Sequence, residues 1–283
     1  QYFFRRRETS KGGIFFKKAV DLDPKFARAW AALAAVYAMG DSMGEAEPIV
    51  NKALEIDPNL AEAQAVRGFI KMFLNWDWIE AEKSLNRAVE LDKNSVEAHH
   101  WRGILYQIRG RFDEAKADLN RALELDPTSA NMISDLGQIY FFAGEYQKSE
   151  EVFLKAKAID ERFANYRLRF LYAAQSREKE TLATEIATRC YREVNDNKKE
   201  DCVSETKSIF EKDGLKGINQ FYLKILIADN DKLPINEVPN NWYMIAFYQM
   251  RLGDKEKAVE NLHRALENKK DYFGTLNFNI PFL

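Results

Sequence analysis

One ten-residue phrase recurs along this chain with small changes: KAVDLDPKFA at 18–27, KALEIDPNLA at 52–61, RAVELDKNSV at 87–96 and RALELDPTSA at 121–130. Its alanine falls at Ala19, Ala53, Ala88, Ala122 and Ala156, a spacing of 34 or 35 residues. A unit of this size cannot bury its apolar face alone, so a chain with this period is expected to stack its units around a shared core.

Other positions keep the same beat. Ala34, Gly68, Gly103 and Gly137 recur in the first half of each unit, and Ala46, Ala81, Ala115 and Ser149 in the second. Between them apolar residues fall three and four apart, as in Leu136, Ile139 and Tyr140 or Ala115, Leu119 and Ala122, which is one face of a helix. Each unit therefore reads as two helices. Gly110 and Gly144 stand where the first helix must stop. The turn NWDWIEA is one residue longer, and Asp77 with Glu80 suits an acidic capping box. Asp-Pro at 23–24, 57–58 and 126–127 ends the second helix, because proline pushes its predecessor out of helical geometry. Glycine in a helix costs about 1 kcal/mol against alanine, so three glycines at one phase predict close helix packing there.

Composition narrows the function classes. The 283 residues are 46% hydrophobic and 30% charged, which suits a folded, helix-prone chain. With 42 basic against 44 acidic residues, the totals give no basic face for nucleic acid, so direct nucleic-acid contact is not expected. The apolar run AWAALAAVYAM at 29–39 is far shorter than the roughly 18–20 residues of a membrane span, and no membrane insertion is expected. The start QYFFRRRETS lacks an initiator Met and reads as the interior of a longer protein.

Trp30, Leu33, Ala34, Tyr37, Ala46, Val50, Ala53 and Pro58 resemble the tetratricopeptide repeat at its eight signature places. Arg102, Gly103, Tyr106, Ala115, Leu119, Ala122 and Pro127 hold the same places in a later unit. The resemblance implies an all-α fold, a right-handed superhelix (solenoid) of antiparallel helix pairs. Units are assigned at 27–60, 61–95, 96–129 and 130–163, after a truncated one at 1–26. Another falls at 239–272 with Trp242, Gly253, Ala258, Leu262 and Ala265. Three regions are thus expected: a regular array at 1–163, degenerate helical repeats with a Pro-bounded loop at 164–238, and a final repeat and tail at 239–283. Within the second, 213–241 predicts a long helix and then the loop.

Three details carry a narrower resemblance: NWDW at 75–78, AHHW at 98–101 and GLKGINQFYLK at 214–224. With the final repeat and the tail DYFGTLNFNIPFL, they look like the C-terminal repeat regions of bacterial signalling proteins. Such regions follow winged-helix transcription regulators, adenylate cyclases or serine/threonine kinases, which implies a regulatory role.

A search for chemistry finds little. No phosphate-binding glycine loop, GxSxG elbow or HExxH pair is present, and no enzyme activity, metal or cofactor is expected. His99 and His100 are neighbours, so on a helix they point about 100° apart and do not grip one metal together. His99 is read as packing, His100 as groove surface and His263 as exposed. Cys190 and Cys202 permit one bridge, but the default reading is two buried, inert thiols, and the compartment stays open. Trp76 and Trp78, in a turn, suit a binding surface, but wedging between successive units is the preferred reading by a small margin.

The inner wall of such a stack is lined by the first helix of each unit. Inward positions are Arg28, Ala35 and Met39; Phe69, Met72 and Phe73; His100, Ile104 and Gln107; Gln138, Phe141 and Phe142; and Tyr172 and Gln175. The expected binding residues are Phe69, Met72, Phe73, His100, Gln107, Gln138, Phe141, Phe142 and Tyr172, though each also suits packing between helices. Basic residues are scarce, so the wall suits an apolar or amphipathic protein segment better than a terminal carboxylate. A segment of the same full-length protein is one candidate. The alternative is a small-molecule receptor with a pocket at the degenerate repeats near Tyr172 or Phe221. Self-association through the apolar ends YFFRRR and FNIPFL is a further expectation.

Overall fold

The computed structural model describes residues 9–40, 43–190, 199–230 and 242–267. They are helices joined by turns, with no strand among the described residues, and the described residues fall into two compact units divided between residues 152 and 153. No described helix is long and apolar enough to cross a membrane.

The first unit begins with α1 (Thr9–Leu22). There follow the pairs α2 (Ala27–Ala38) with α3 (Met43–Ile56), α4 (Ala61–Phe73) with α5 (Trp78–Leu91), and α6 (Val96–Ile108) with α7 (Phe112–Leu125). Next come α8 (Ala130–Phe142) and α9 (Tyr146–Ile159). The first helices α2, α4 and α6 each pack on their partner and on the first helix of the next pair: α2 on α4, α4 on α6, α6 on α8. The second helices reach the next pair through its first helix, α3 on α4, α5 on α6 and α7 on α8. This arrangement makes the first helices the inner layer.

Small residues permit that packing. Ala34, Ala46, Ala53, Ala81, Ala88, Ala115 and Ala122 are wholly buried. A Cβ on Gly68 would collide with Leu85, and one on Gly103 with Leu119. At Gly137 the carbonyl accepts from Ser149 Oγ at 2.8 Å.

The first helices share one way of ending. Gly110 and Gly144 take the left-handed conformation (φ 72° and 77°), and the next N–H bonds back five residues, Arg111 to Tyr106 and Glu145 to Tyr140. In the longer turn of the preceding unit this place is held by Trp76 (φ 58°), and Asp77 N–H reaches back six residues to Lys71. A side chain in this region costs about 1 kcal/mol. Asp77 caps α5 by accepting from Glu80 N–H at 3.0 Å, but the Glu80 carboxylate turns to Lys83 rather than completing a capping box.

The turns between pairs depend on aspartate more than on proline. Asp23, Asp57 and Asp92 each accept the N–H two residues on, at 2.9–3.0 Å, although Asp92 is followed by lysine. A second bond recurs six residues apart: Trp30 Nε1 donates to Pro24 O, Gln64 Nε2 to Pro58 O, and His99 Nε2 lies 3.1 Å from Lys93 O. Three different side chains thus brace the same turn. A third equivalent place is apolar in the first and last pairs and polar in the two between. Leu33 and Ile49 share one cluster, Arg67 donates to Ser84, Arg102 pairs with Asp118, and Leu136 and Val152 share another cluster. Ion pairs also join successive units, and their sense reverses: Glu82 with Arg111 at 2.6 Å, then Lys116 with Glu145 at 2.9 Å.

The second unit contains a short 3-10 turn (Glu161–Phe163), α10 (Asn165–Ala174), α11 (Glu178–Arg189), α12 (Lys199–Asn230), α13 (Trp242–Arg251) and α14 (Lys255–Glu267). The α10–α11 pair ends its first helix as the others do, with Ser176 at φ 55° and Arg177 N–H bonded to Tyr172 O. The long helix predicted within 213–241 follows Gly214 and runs to Asn230; Gly214 (φ 60°, ψ −155°) is the kink that divides it from the helix beginning at Lys199. Ile218, Tyr222, Phe247 and Tyr248 form the core between α12 and α13. The expected free thiols are a correction: Cys190 and Cys202 are joined in a disulfide, their Cα atoms 5.6 Å apart. Cys190 caps α11 and Cys202 lies in the first turn of α12, so the contact of the two helices brings them together. The Pro-bounded loop, the tail and both apolar ends expected to promote self-association lie outside the described residues.

Candidate functional site

The last turn of each first helix presents an apolar side chain at one repeated place: Met39, Phe73, Ile108 and Phe142, all half-buried. They form a row along one edge of the inner layer of the first unit. Sequence reading found three of the four. Ile108 was signalled by its spacing of 35 from Phe73 and 34 from Phe142.

The remaining sequence-derived residues separate into foundation and surface. Phe69, Met72 and Gln138 are buried at 5%, 2% and 3% exposure. The Phe69 ring lies 4.9 Å from those of Phe73 and Trp101, so it ties α4 to α6 beneath the row. His100, Gln107, Phe141 and Phe142 are half-buried at the surface. Phe141 lies 5.5 Å from Phe142 and 5.6 Å from Tyr146. Gln107 Oε1 is shielded and has no hydrogen-bond partner, so it is an acceptor facing no donor. Tyr172 belongs to the second unit and is buried there, with the Arg177 guanidinium 4.4 Å from its ring centre.

Toward the other end of the first helices the inner layer is polar. Arg28 pairs with Glu62 at 3.5 Å. His100 Nε2 lies 2.7 Å from Asp135 Oδ2, which also accepts from Asn131 at 3.3 Å. Asp135 was missed by sequence reading, and its spacing of 35 from His100 was the available signal. The two adjacent histidines go different ways. His99 is buried, its Nδ1 2.9 Å from Asp118 Oδ1, while Arg102 holds the same carboxylate with two bonds. Burial penalises the Asp118 charge, but Arg102 and then His99 outweigh this and hold its carboxyl below the usual range. At the outer edge Lys71, 2.7 Å from Glu47, likewise keeps that carboxyl low. Among the described residues no three His, Cys, Asp or Glu side chains gather as a metal site.

Trp76 and Trp78 correct the sequence expectation of wedges between units. Each is 40% exposed, because the enlarged turn carries them at its surface.

Comparisons with known proteins agree with this architecture. Models described as tetratricopeptide repeat match residues 16–61, 96–129, 130–163 and 239–272, together just over half of the chain. No curated protein matches the chain. Among solved structures, the chain resembles PilW, a type IV pilus biogenesis factor, with 19% identity and a TM-score of 0.56 over 68% of this chain and 90% of that one. A tetratricopeptide repeat protein from Parabacteroides merdae gives 18% identity and 0.53, over 72% and 80%. The Cut9–Hcn1 assembly of APC/C gives 15% identity and 0.63, over 99% of this chain and 52% of that one. At these identities the likeness is one of fold. Stacked helix pairs at a 34-residue period, small residues at the packing places and the matched models lead to one conclusion: the chain is a tetratricopeptide-repeat protein.

Proposed function

We propose that this chain is a non-catalytic binding module of a larger bacterial signalling or transcription-regulatory protein, and that it holds an apolar or amphipathic polypeptide segment along the inner layer of its first unit. Tetratricopeptide scaffolds commonly mediate protein and peptide binding. The observation that carries the reading is the row Met39, Phe73, Ile108 and Phe142, one half-buried apolar side chain per unit at a repeated place. Such a row matches the apolar face of a helix laid into a groove. The signalling context rests on the likeness of NWDW, AHHW and GLKGINQFYLK to the repeat regions of such regulators. Regulation would follow if the segment prefers one of two curvatures of the stack.

Calorimetric titration of a panel of amphipathic helical peptides tests the site. The tightest peptide is expected to lose about tenfold or more in affinity for Phe73→Ala and for Phe142→Ala, each a large apolar contact. Equal affinity in both variants, with unchanged helicity, would reject the row as the binding surface.

A further inference from the structure

At the join between α11 and α12 the repeat register changes two residues at once. One place in that register is an aspartate along the rest of the chain, at Asp23, Asp57, Asp92, Asp126 and Asp160, spaced 34 or 35 residues apart; the next place is Val194. Asp23, Asp57 and Asp92 brace their turns by accepting the N–H two residues on, and a valine side chain has no acceptor to offer. Four residues before the aspartate the register holds Ala53, Ala88, Ala122 and Ala156, each wholly buried, and here it holds Cys190. Ala122 shares a cluster with Met132 of the following helix, so this place faces the next element. Cys190 faces the next element too, but is bonded to it through Cys202 of α12. A covalent bond thus stands where the earlier joins rely on a turn and on packing.

The bond is placed to hold the fold rather than to exchange with other thiols. Cys190 is 0% exposed and Cys202 9%. They are the chain's two cysteines, so it supplies no third thiol to resolve a mixed disulfide. Thr206 is buried beside the sulfurs, its Oγ1 3.8 Å from Cys190 Sγ and donating to Cys202 O at 2.7 Å. One turn further, Ile209 and Phe210 pack on the cluster of Ile218, Tyr222, Phe247 and Tyr248. The first turns of α12 are therefore tied to the second unit by apolar packing at one end and by the disulfide at the other. Disulfides of this buried kind persist in oxidising compartments and are rare in the cytosol, where thiols are kept reduced.

We propose that the Cys190–Cys202 bond is an oxidation-dependent lock: the start of α12 docks on α11 only in an oxidising compartment outside the cytosol, and that is where the chain works. Closure is thiol–disulfide exchange with a disulfide-bearing oxidant. The thiolate of one cysteine attacks the oxidant's disulfide and displaces one of its sulfurs, giving a mixed disulfide. The thiolate of the other cysteine then attacks the first cysteine's sulfur and releases the oxidant's second sulfur. Two electrons and two protons pass from the chain's thiols to the oxidant, which leaves as a dithiol. In a reducing compartment the balance lies with the two thiols, and the turns of α12 ahead of Ile209 stay undocked. The lock is independent of the inner layer and of what binds there.

Two experiments on the full chain test it. In the first, cells that naturally make the protein are quenched in acid, and the denatured protein is alkylated with a maleimide large enough to shift its migration. The chain is expected to take up no label unless it is reduced beforehand, and one label per cysteine after reduction. Full labelling of the unreduced chain overturns the assignment of compartment. In the second, hydrogen exchange is compared between the oxidised chain and the chain reduced by a dithiol. Exchange over 199–208 is expected to quicken on reduction while 27–125 stays unchanged, and equal protection of 199–208 in the two states overturns the lock. The variant Cys190→Ala/Cys202→Ser, which restores the alanine of the other units, is expected to match the reduced parent and to ignore the reductant. A variant protected over 199–208 as fully as the oxidised parent overturns the lock as well, and the two measurements on the parent stand without any variant.

Discussion

Arg102 grips Asp118 through two bonds, Nε to Oδ2 at 2.6 Å and Nη2 to Oδ1 at 2.7 Å. His99 makes the third contact to this buried carboxylate at 2.9 Å. Asp118→Ala would leave a guanidinium without its counter-charge, and is expected to cost about 3 kcal/mol. The next unit fills the same three places with Ile133, Leu136 and Val152. The triple replacement His99→Ile, Arg102→Leu and Asp118→Val is therefore expected to lie within about 1 kcal/mol of the parent or above it. Urea unfolding with an unchanged slope checks both, and a triple variant as weak as Asp118→Ala would show the network to be net stabilising.

The same group sets an acid dependence. Asp118 has a folded carboxyl pKa below its unfolded value, so its contribution is complete above about pH 4, the ordinary aspartate range, and is lost as pH falls through the depressed folded value. Stability is expected to decline below about pH 4, and less steeply in the triple variant, where the valine replacing Asp118 cannot take up a proton. Urea midpoints at a series of pH values between neutral and strongly acidic provide the measurement.

Gly103→Ala places a methyl group against Leu119 Cδ2 and 3.2 Å from Ala115 O. The gain of about 1 kcal/mol in helix propensity is expected to be outweighed, for a net loss of about 1–2 kcal/mol. Gly44→Ala in α3 meets nothing within 4 Å and serves as the control, expected to be neutral or mildly stabilising. Thermal melts of the two variants should move in opposite directions or differ by several degrees.

The period of 34 and the small-residue places made the helix pairs of the first unit legible before any coordinates, since both are direct demands of close packing. Gly110 and Gly144 announced their turns for the same reason. Trp76 and Ser176 did not, because the left-handed place is ordinarily glycine and nothing local marks an exception. Of the expected wall, Phe73 and Phe142 lie in the half-buried row, whereas Phe69 and Met72 lie beneath it. Sequence spacing assigns a helix face but not the depth at which a side chain sits within it. Asp135 stayed hidden because its partner His100 is on another helix, 35 residues away.

The Cys190–Cys202 bridge was illegible for a similar reason: spacing of 12 residues permits it, but only the meeting of α11 with α12 brings the sulfurs together. Closing a loop of this length restricts the unfolded chain by about 3 kcal/mol. Cys190→Ser/Cys202→Ser, or reduction of the parent, is expected to weaken the second unit and leave the first unaltered. Hydrogen exchange resolved by segment distinguishes this from a uniform loss.

Opposed ion pairs between successive units, Glu82 with Arg111 and Lys116 with Glu145, carry a consequence for how the array can evolve. Unequal recombination that removed the unit 96–129 would set Glu82 opposite Glu145, and two carboxylates would meet where a cation is needed. A duplication would meet the same obstacle wherever the alternation was broken. Loss of the 96–129 unit, or a strand exchange that sets Glu82 against Glu145, is disfavoured on this electrostatic ground.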